Sequence, residues 1–212
     1  MVFENCDNME LMARYEDNHF DLAIVDPPYG IERFKKGIGK NERHTVKTTS
    51  LLWNNNTPTE AYFDELFRVS KNQIIWGANN FILPPTEYFC CWNKEQTVSN
   101  FATLEYAWVS MGLKKPAKLF TYTWNGMLQG DMKNKEIKIH PTQKPVALYK
   151  WLLSNYAKAG DLILDTHVGS ASSLIACEQM GFDYVGCELD PEYYEKACKR
   201  IKEETAQADM FI

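Results

Sequence analysis

The sequence predicts an α/β fold with a doubly wound, mostly parallel sheet, and three observations support this. Two short apolar runs, at 20–25 and 161–164, stop abruptly at turn residues, as buried strands of parallel sheets do. A strand, a helix, a second strand and a second helix follow one another between 161 and 201, which is the order of a βαβ unit. The 212 residues are 45% hydrophobic and 24% charged, which fits one globular domain.

The first half of the chain is expected to supply mainly strands. They are predicted at 20–25, 73–81, 88–92 and 104–109, with a further short strand ahead of Asn5. A helix is predicted over 59–70, because Tyr62, Leu66 and Val69 fall on one face. Residues 30–58 are polar and rich in Gly, Lys, Asn and Thr, so we expect a long flexible loop there.

The second half becomes regular after residue 145. Apolar residues at 149, 152, 153 and 156 have the spacing of an amphipathic helix that Gly160 can end. Strands follow at 161–164 and 184–187, separated by a helix at 172–180 that Gly181 closes. Asp190 can cap a last helix, in which Pro191 takes the first position. Residues 112–139, by contrast, are irregular, basic and aromatic.

The net charge of -5 conceals two basic segments. Residues 30–50 and 111–140 each carry six Lys or Arg against two acidic residues, a local balance of +4. Binding of phosphate depends on the local field rather than on the total charge. The two segments therefore fit either contacts with nucleic acid or two solvated loops, and charge alone does not decide between them.

The six cysteines lie at positions 6, 90, 91, 177, 187 and 198, without any C-x-x-C pair, and there are four His. This spacing argues against a zinc site, and no metal is predicted. The N-terminus lacks the apolar stretch of a secretory signal, and no run of about 18 apolar residues exists. We therefore expect a cytoplasmic protein with reduced thiols and no membrane contact.

A turn of small residues at 165–172 links a predicted strand to a predicted helix. Gly169, Ser170 and Ser172 would let a ligand approach the backbone and the helix N-terminus. Nineteen residues after Gly169, Glu188 follows the next strand, where an acid can bind both hydroxyls of a ribose. The pattern is not G-x-G-x-x-G, so a nicotinamide cofactor is disfavoured. The alternative to a ligand site is a tight structural turn in which Glu188 only caps the chain.

The tetrapeptide Asp26-Pro27-Pro28-Tyr29 follows the strand at 20–25. Proline removes amide donors, so this loop presents only acceptors. The two hydrogens of an amino group could be held by the Asp26 carboxylate and the Pro27 carbonyl, which would turn the nitrogen lone pair towards an electrophile. Tyr29 could stack on the base that carries the amine. Taken by itself, the tetrapeptide also fits a proline-rich surface turn.

Four motifs, in order, resemble those of the amino-group DNA methyltransferases. D-L-A-I-V-D-P-P-Y-G-I at 21–31 resembles their catalytic motif, and H-P-T-Q-K-P at 140–145 resembles the motif before their cofactor turn. D-T-H-V-G-S-A-S at 165–172 resembles their D-P-F-x-G-S-G-T turn, and C-E-L-D-P-E-Y at 187–193 resembles the segment of their ribose-binding acid. The catalytic motif comes first, as in the permuted β group. The resemblance spans nearly the whole chain.

This resemblance implies a Rossmann-like fold, S-adenosylmethionine as cofactor and double-stranded DNA as partner. The implied catalytic residues are Asp26, Pro27, Pro28 and Tyr29. The implied cofactor-binding residues are Asp7, Asn8, Asp26, Pro27, His140, Thr142, Lys144, Asp165, Thr166, His167, Gly169, Ser170, Ser172, Glu188 and Leu189. In these roles Asp7 would contact the adenine of the cofactor, Lys144 its carboxylate and Glu188 its ribose. Residues 1–212 would form a single domain, with 30–58 a flexible loop and 112–139 a short target-recognition insertion.

The implied reaction is direct methyl transfer to nitrogen on a base flipped out of the duplex. Asp at position 26 favours the 6-amino group of adenine over the 4-amino group of cytosine. Thr166, His167 and Ala171 depart from the Pro, Phe and Gly of the family pattern, so a catalytically inactive DNA-binding relative stays an alternative. Methyltransferases of protein glutamine or ribosomal RNA also have Pro-Pro-Tyr loops, but usually with the motifs in the reverse order.

The C-terminal residues, from Gln207 to Ile212, resemble the Q-x-x-L-F peptide that docks on bacterial sliding clamps. Such a tail could bind a clamp or pack on its own domain. The sequence leaves open whether the chain forms a homodimer, which DNA site it recognises and whether a partner endonuclease exists. The resemblance implies a protein encoded by a bacterium or a phage.

Overall fold

A mixed sheet forms the centre of the computed structural model, which describes residues 1–30, 57–99, 101–125 and 127–206. Within these ranges the strands of the sheet are β1 (Val2–Glu4), β2 (Leu22–Val25), β3 (Gln73–Trp76), β4 (Phe89–Asn93), β5 (Leu104–Val109), β6 (Lys118–Thr121), β9 (Leu162–Asp165) and β10 (Asp183–Cys187). Two further strands, β7 (Trp124–Asn125) and β8 (Leu128–Gln129), form a separate hairpin. The spatial order of the main sheet is β1-β10-β9-β2-β3-β5-β4-β6.

All but one of the described strands of this sheet run in the same direction. Pairing is parallel from β1 through β10, β9 and β2 to β3, and again between β4 and β6. Only β5 is antiparallel to its neighbours, with Ile75 opposite Trp108 and Trp92 opposite Glu105. The predicted mostly parallel α/β fold is confirmed. The reversal of β5 places its first residues at the edge where the other strands end.

Helices cover both faces of the sheet, as a doubly wound fold requires. The helices are α1 (Asn8–Met12), α2 (Glu60–Val69), α3 (Val146–Tyr156), α4 (Ser172–Met180) and α5 (Pro191–Ala206). Side chains of β2 alternate between two hydrophobic clusters: Leu22 and Ile24 pack with α3 and α4, whereas Ala23 and Val25 pack with α1 and α2. β2 is thus buried on both sides.

Several predicted elements are confirmed, but the strand predicted at 73–81 was too long. It ends at Trp76, because Gly77 has a φ of +67° and the chain continues as a 3-10 turn at Ala78–Asn80. The predicted face of α2 is correct, since Tyr62, Leu66 and Val69 are all buried. A glycine in the left-handed conformation can end a strand inside an apolar stretch, so the sequence pattern did not indicate this strand end.

The segment 112–139, which the sequence presented as irregular, contains part of the sheet. β6 pairs with the edge of β4, and Trp92 lies opposite Phe120. The aromatic alternation of Phe120, Tyr122 and Trp124 has the two-residue period of a strand, and Phe120 packs against Trp151 with ring centroids 5.3 Å apart. Most of the predicted loop 30–58 and all of the tail from Gln207 lie outside the described residues.

A search of the described ranges finds no helix long and apolar enough to cross a membrane.

A buried ion pair joins four separate segments around the start of α4. Arg200 of α5 donates from Nη1 to the carbonyl of Ser170 at 2.8 Å and to Oγ of Ser172 at 2.9 Å. Its Nη2 donates to Oε2 of Glu136 at 2.6 Å, and Oε1 of Glu136 accepts from the backbone of Val146 at the start of α3. The guanidinium therefore ties the segment before α3 to the turn before α4.

Replacing this arginine should destabilise the fold strongly. In Arg200→Met the Glu136 carboxylate loses its counter-ion while staying largely buried, which we expect to cost about 3–5 kcal/mol of unfolding free energy. Urea denaturation would measure this. Lys199→Met is the matched control, because the Lys199 side chain is 77% exposed and its Nζ lies 3.7 Å from Oε1 of Glu203. This variant should leave stability nearly unchanged. Equal losses in the two variants would contradict a structural role for the buried pair.

Candidate active site

Segments that are far apart in the sequence meet at the carboxyl edge of the sheet. Because β1, β10, β9 and β2 are parallel neighbours, the residues that follow each of them emerge side by side. They enclose a cavity of about 310 Å³, which the segment at 140–144 also lines. The predicted residues that line this cavity are Asp7, Asn8, Asp26, Pro28, His140, Thr142, Lys144, Thr166, His167, Gly169, Ser170, Glu188 and Leu189.

Four predicted residues do not line the cavity but stand next to it. Pro27 is buried within the loop after β2, and the ring of Tyr29 packs over Gly77, where a Cβ would lie 2.0 Å from Cε1 of the ring. Asp165 is buried and accepts from Oγ of Ser173 at 2.5 Å and from the backbone of His167 at 2.9 Å. Ser172 is held by Arg200 as described above. These four residues lie directly behind the residues that line the cavity.

The carboxylate of Asp26 is held on both oxygens. The Tyr29 hydroxyl donates to Oδ1 at 2.5 Å, and the ammonium of Lys144 is ion-paired with Oδ2. Burial, together with the charges of Asp26 and Glu105, raises the pKa of Tyr29 well above its usual value, so its hydroxyl is a donor throughout the neutral range. The loop after β2 is therefore ordered by contacts to both oxygens of one carboxylate.

Lys144 is buried, and a second carboxylate shares its charge. Its Nζ lies 3.1 Å from Oε2 of Glu105 and 5.7 Å from the centre of the Trp76 ring. Burial by itself would lower the pKa of Lys144, but the carboxylates of Asp26 and Glu105 outweigh it and raise that pKa. Lys144 thus contacts Asp26, the predicted catalytic acid. Its expected contact with a cofactor carboxylate stays a prediction.

The turn after β9 has the shape expected of a ligand-binding turn. Gly169 has a φ of +54°, and its amide donates to Oε2 of Glu188 at 2.8 Å. The other oxygen of Glu188 accepts from the amide of Asp190 at 2.9 Å. Burial raises the pKa of Glu188. A carboxylate has about four lone-pair directions, so both oxygens retain capacity for hydroxyl donors.

Comparisons with known proteins agree with this geometry. The family model for N6/N4 DNA methylases matches residues 50–199, well over half of the chain. The chain belongs to this family. Among its relatives, the type II methyltransferase M2.MboI of Moraxella bovis is 26% identical over 240 residues, covering 95% of this chain and 86% of the relative. M2.DpnII of Streptococcus pneumoniae is 22% identical and covers 96% of this chain and 90% of its own length.

Solved structures of the same fold cover the chain almost completely. The M1.HpyAVI–SAM complex has a TM-score of 0.53 at 20% identity, with 94% of this chain and 98% of that one covered. The PvuII DNA methyltransferase, described as cytosine-N4-specific, has a TM-score of 0.60 at 15% identity, with 97% and 91% covered. At such identities the likeness shows the fold alone.

Thr166 and His167, which replace the Pro and Phe of the family pattern, both have hydrogen-bond partners. Oγ1 of Thr166 lies 2.7 Å from the Tyr62 hydroxyl and 2.9 Å from Nδ1 of His167. Nε2 of His167 lies 3.0 Å from Nδ2 of Asn8. Burial lowers the pKa of His167 to about 4, so the ring is neutral at physiological pH. Thr166 and His167 therefore fit the cavity wall as part of a hydrogen-bonded group of four side chains.

Asp7 and His140, also predicted site residues, make structural contacts in the wall of the cavity. The carboxylate of Asp7 caps α1 by accepting from the amide of Met9 at 2.8 Å. The ring of His140 packs edge-on against Tyr193 with centroids 4.3 Å apart, and burial lowers its pKa to about 4. Its Nδ1 lies 3.1 Å from Oγ1 of Thr142. His140 is thus a neutral wall residue beside the turn.

Sequence reasoning missed several residues that line or support the cavity. Tyr62 was assigned to a helix core, although its hydroxyl reaches the turn after β9. Gln143 lies inside the quoted H-P-T-Q-K-P motif, and its carbonyl accepts from the indole of Trp124 at 2.9 Å. Its Oε1 accepts from the backbone of Ile139 at 2.9 Å. Gln143 could have been predicted, because it lies between His140 and Lys144, which were both predicted site residues. The remaining lining residues not predicted are Cys6, Met9, Thr57, Pro58, Thr59, Tyr149, Val168 and Tyr193.

The contact between Tyr29 and Gly77 gives a specific prediction. Gly77→Ala should displace the Tyr29 ring and add left-handed strain of about 1–2 kcal/mol, so both stability and DNA methylation should fall. Gly181→Ala is the control, since Gly181 has a φ of +73° and an added methyl group there would meet no heavy atom within 4 Å. It should show the strain alone and retain activity. Thermal unfolding and a methylation assay would separate the two effects; matching activities would contradict the assigned placement of Tyr29.

Proposed function

We propose that this chain transfers a methyl group from S-adenosylmethionine to the 6-amino group of adenine in double-stranded DNA. The observation that carries this proposal is the shared cavity. The Asp26 loop, which offers acceptors for an amine, opens into the same space as Gly169 and Glu188, which offer a cradle for a nucleoside. An amine-holding acid and a nucleoside cradle in one cavity fit transfer between two bound molecules.

The residues present fit S-adenosylmethionine. Glu188 would hold the ribose hydroxyls, and the side of the cavity formed by Asp7, Asn8 and His167 would hold the adenine. Thr142 and Ser170 would take polar contacts with the methionine part. When bound, this cofactor supplies a methyl group on a positively charged sulfur. Three acids in the cavity wall, Asp7, Asp26 and Glu188, suit a cationic ligand.

The catalytic loop would hold the amine through acceptors only. Asp26 and the carbonyl of Pro27 can each accept one of its two hydrogens, and proline adds no competing amide donor. Tyr29 occupies one lone-pair direction of Oδ1 of Asp26, and a second direction on that oxygen stays open to the entering amine. The Tyr29 ring would stack on a flipped base, whose extrusion from the duplex costs a few kcal/mol. Asp26 is then also the nearest carboxylate to receive the proton that the methylated nitrogen must lose.

The segment that follows β7 supports DNA as the partner. Lys133, Lys135 and Lys138 are exposed on it, and the ammonium of Lys138 lies 4.7 Å from the centre of the Trp124 ring. The apolar side chains of Met127 and Ile137 are 79% and 78% exposed. Basic and apolar side chains on one anchored segment suit phosphates and base edges together. We therefore keep residues 112–139 as the target-recognition region.

Three further predictions concern partners and location. A cytoplasmic location, a homodimer and a clamp contact through the tail from Gln207 to Ile212 would each fit a DNA-modifying enzyme. Pull-down of a bacterial sliding clamp by the intact chain, but not by a chain ending at residue 206, would support the last of these.

Deuterated-methyl transfer to plasmid DNA from a methylation-free host would test the reaction. Mass spectrometry of the nucleosides should find labelled N6-methyladenine. Asp26→Ala should lower the rate by about 10²–10⁴-fold, because the amine loses its acceptor, whereas Asp64→Ala on the exposed face of α2 should not. Labelled 4-methylcytosine alone would overturn the choice of adenine and favour the cytosine alternative. An active Asp26→Ala enzyme would contradict the assigned role of the loop.

A further inference from the structure

A buried acid outside the predicted set reaches the catalytic loop. Glu105 is the second residue of β5, opposite Trp92 of β4. In a parallel strand this position would lie at the far edge of the sheet. Because β5 runs antiparallel, its beginning lies at the edge where β2 and β3 end, and the Glu105 side chain, 20% exposed, meets the ammonium of Lys144.

Four charged side chains form an alternating row from the rim of the sheet to the active site. Lys94 is ion-paired with Oε1 of Glu105, Oε2 of Glu105 lies 3.1 Å from Nζ of Lys144, and Lys144 is ion-paired with Asp26. Within the described part of the chain Oε2 of Glu105 has no hydrogen bond of good geometry, so its 3.1 Å contact with Lys144 is mainly an ion pair. Two positive and two negative groups leave the row neutral.

The pKa shifts agree with this alternation. Burial by itself would raise the pKa of Glu105, but the ammonium groups of Lys144 and Lys94 outweigh it and lower that pKa. The same reasoning applies to Lys144, whose pKa is raised by its two carboxylates. Glu105 and Lys144 are thus charged over the neutral range, and the loss of either charge leaves an uncompensated charge beside it.

We propose that Glu105 is a positioning residue for methyl transfer: by sharing the ammonium of Lys144, it keeps the charge of Asp26 available to the substrate amine. This inference rests on the proposed function. During transfer the nitrogen–carbon bond forms, the carbon–sulfur bond breaks with its electron pair left on sulfur, and the nitrogen becomes positively charged before it loses a proton. Without Glu105, the positive charge of Lys144 would be compensated by Asp26 alone, and it would oppose the positive charge that develops on the substrate nitrogen.

Glu105→Gln tests this with little change of shape. At saturating cofactor and saturating unmethylated plasmid DNA, kcat should fall by about 10–100-fold, because Lys144 loses the negative charge of its second carboxylate. The Kd for S-adenosylhomocysteine should stay within about threefold of the wild-type value, because Glu105 does not line the cavity. Glu105→Asp, which keeps the charge, should recover part of the rate. Glu87→Gln removes an exposed acid and serves as the control for net charge.

A neutral second variant covers the case in which Glu105→Gln does not fold. The double variant Lys94→Gln/Glu105→Gln removes one charge of each sign, yet still deprives Lys144 of its second carboxylate, so kcat should again fall. Wild-type kcat in either variant would overturn the proposal. A Kd for S-adenosylhomocysteine raised more than about tenfold would overturn it as well, because that would place Lys144 with the cofactor. A wild-type enzyme that transfers no methyl group would instead refute the proposed function.

Discussion

The common direction of β1, β10, β9 and β2 is the constraint on which the site depends. Parallel neighbours end at one edge of a sheet, so loops separated by more than a hundred residues emerge next to each other there. Asp26 and Glu188 share a cavity for this reason and for no local reason in the sequence. The hydrophobic clusters on both faces fix the strands, and the strands fix the loops. Substitutions in the core can thus disturb the chemistry without touching the cavity.

Charge at this edge is arranged in pairs rather than scattered. Asp26 and Lys144 lie in a part of the protein where an isolated charge would be costly, and each is stabilised by its partner. Glu136 and Arg200 do the same beside the turn after β9. The first pair lies at the proposed amine side of the cavity, and the second ties the segment before α3 to the turn after β9. The two halves of the site are therefore supported by separate electrostatic contacts.

The sequence predicts what local pattern and motif order encode. The βαβ unit, the Asp26 loop and the acid at 188 are of this kind, and the family comparison confirms the enzyme class. Glu105 could not be predicted, because its role depends on β5 being inserted antiparallel between β3 and β4, which is set by long-range pairing. Ala171 illustrates another limit. It adopts the left-handed φ of +64° at a position where the family pattern has Gly, and burial of its methyl group offsets part of the strain.

The proposed reaction requires one cavity with two separable halves, one for the nucleoside and one for the amine. Calorimetric titration of S-adenosylhomocysteine into Glu188→Ala and Asp26→Asn tests this division. Loss of the Glu188 carboxylate should weaken binding by about a hundredfold, since two hydroxyl contacts to a charged group are lost. Asp26→Asn should bind within about threefold of the wild type, since only the amine side is altered. Undiminished binding to Glu188→Ala, or a comparable loss in both variants, would contradict the division.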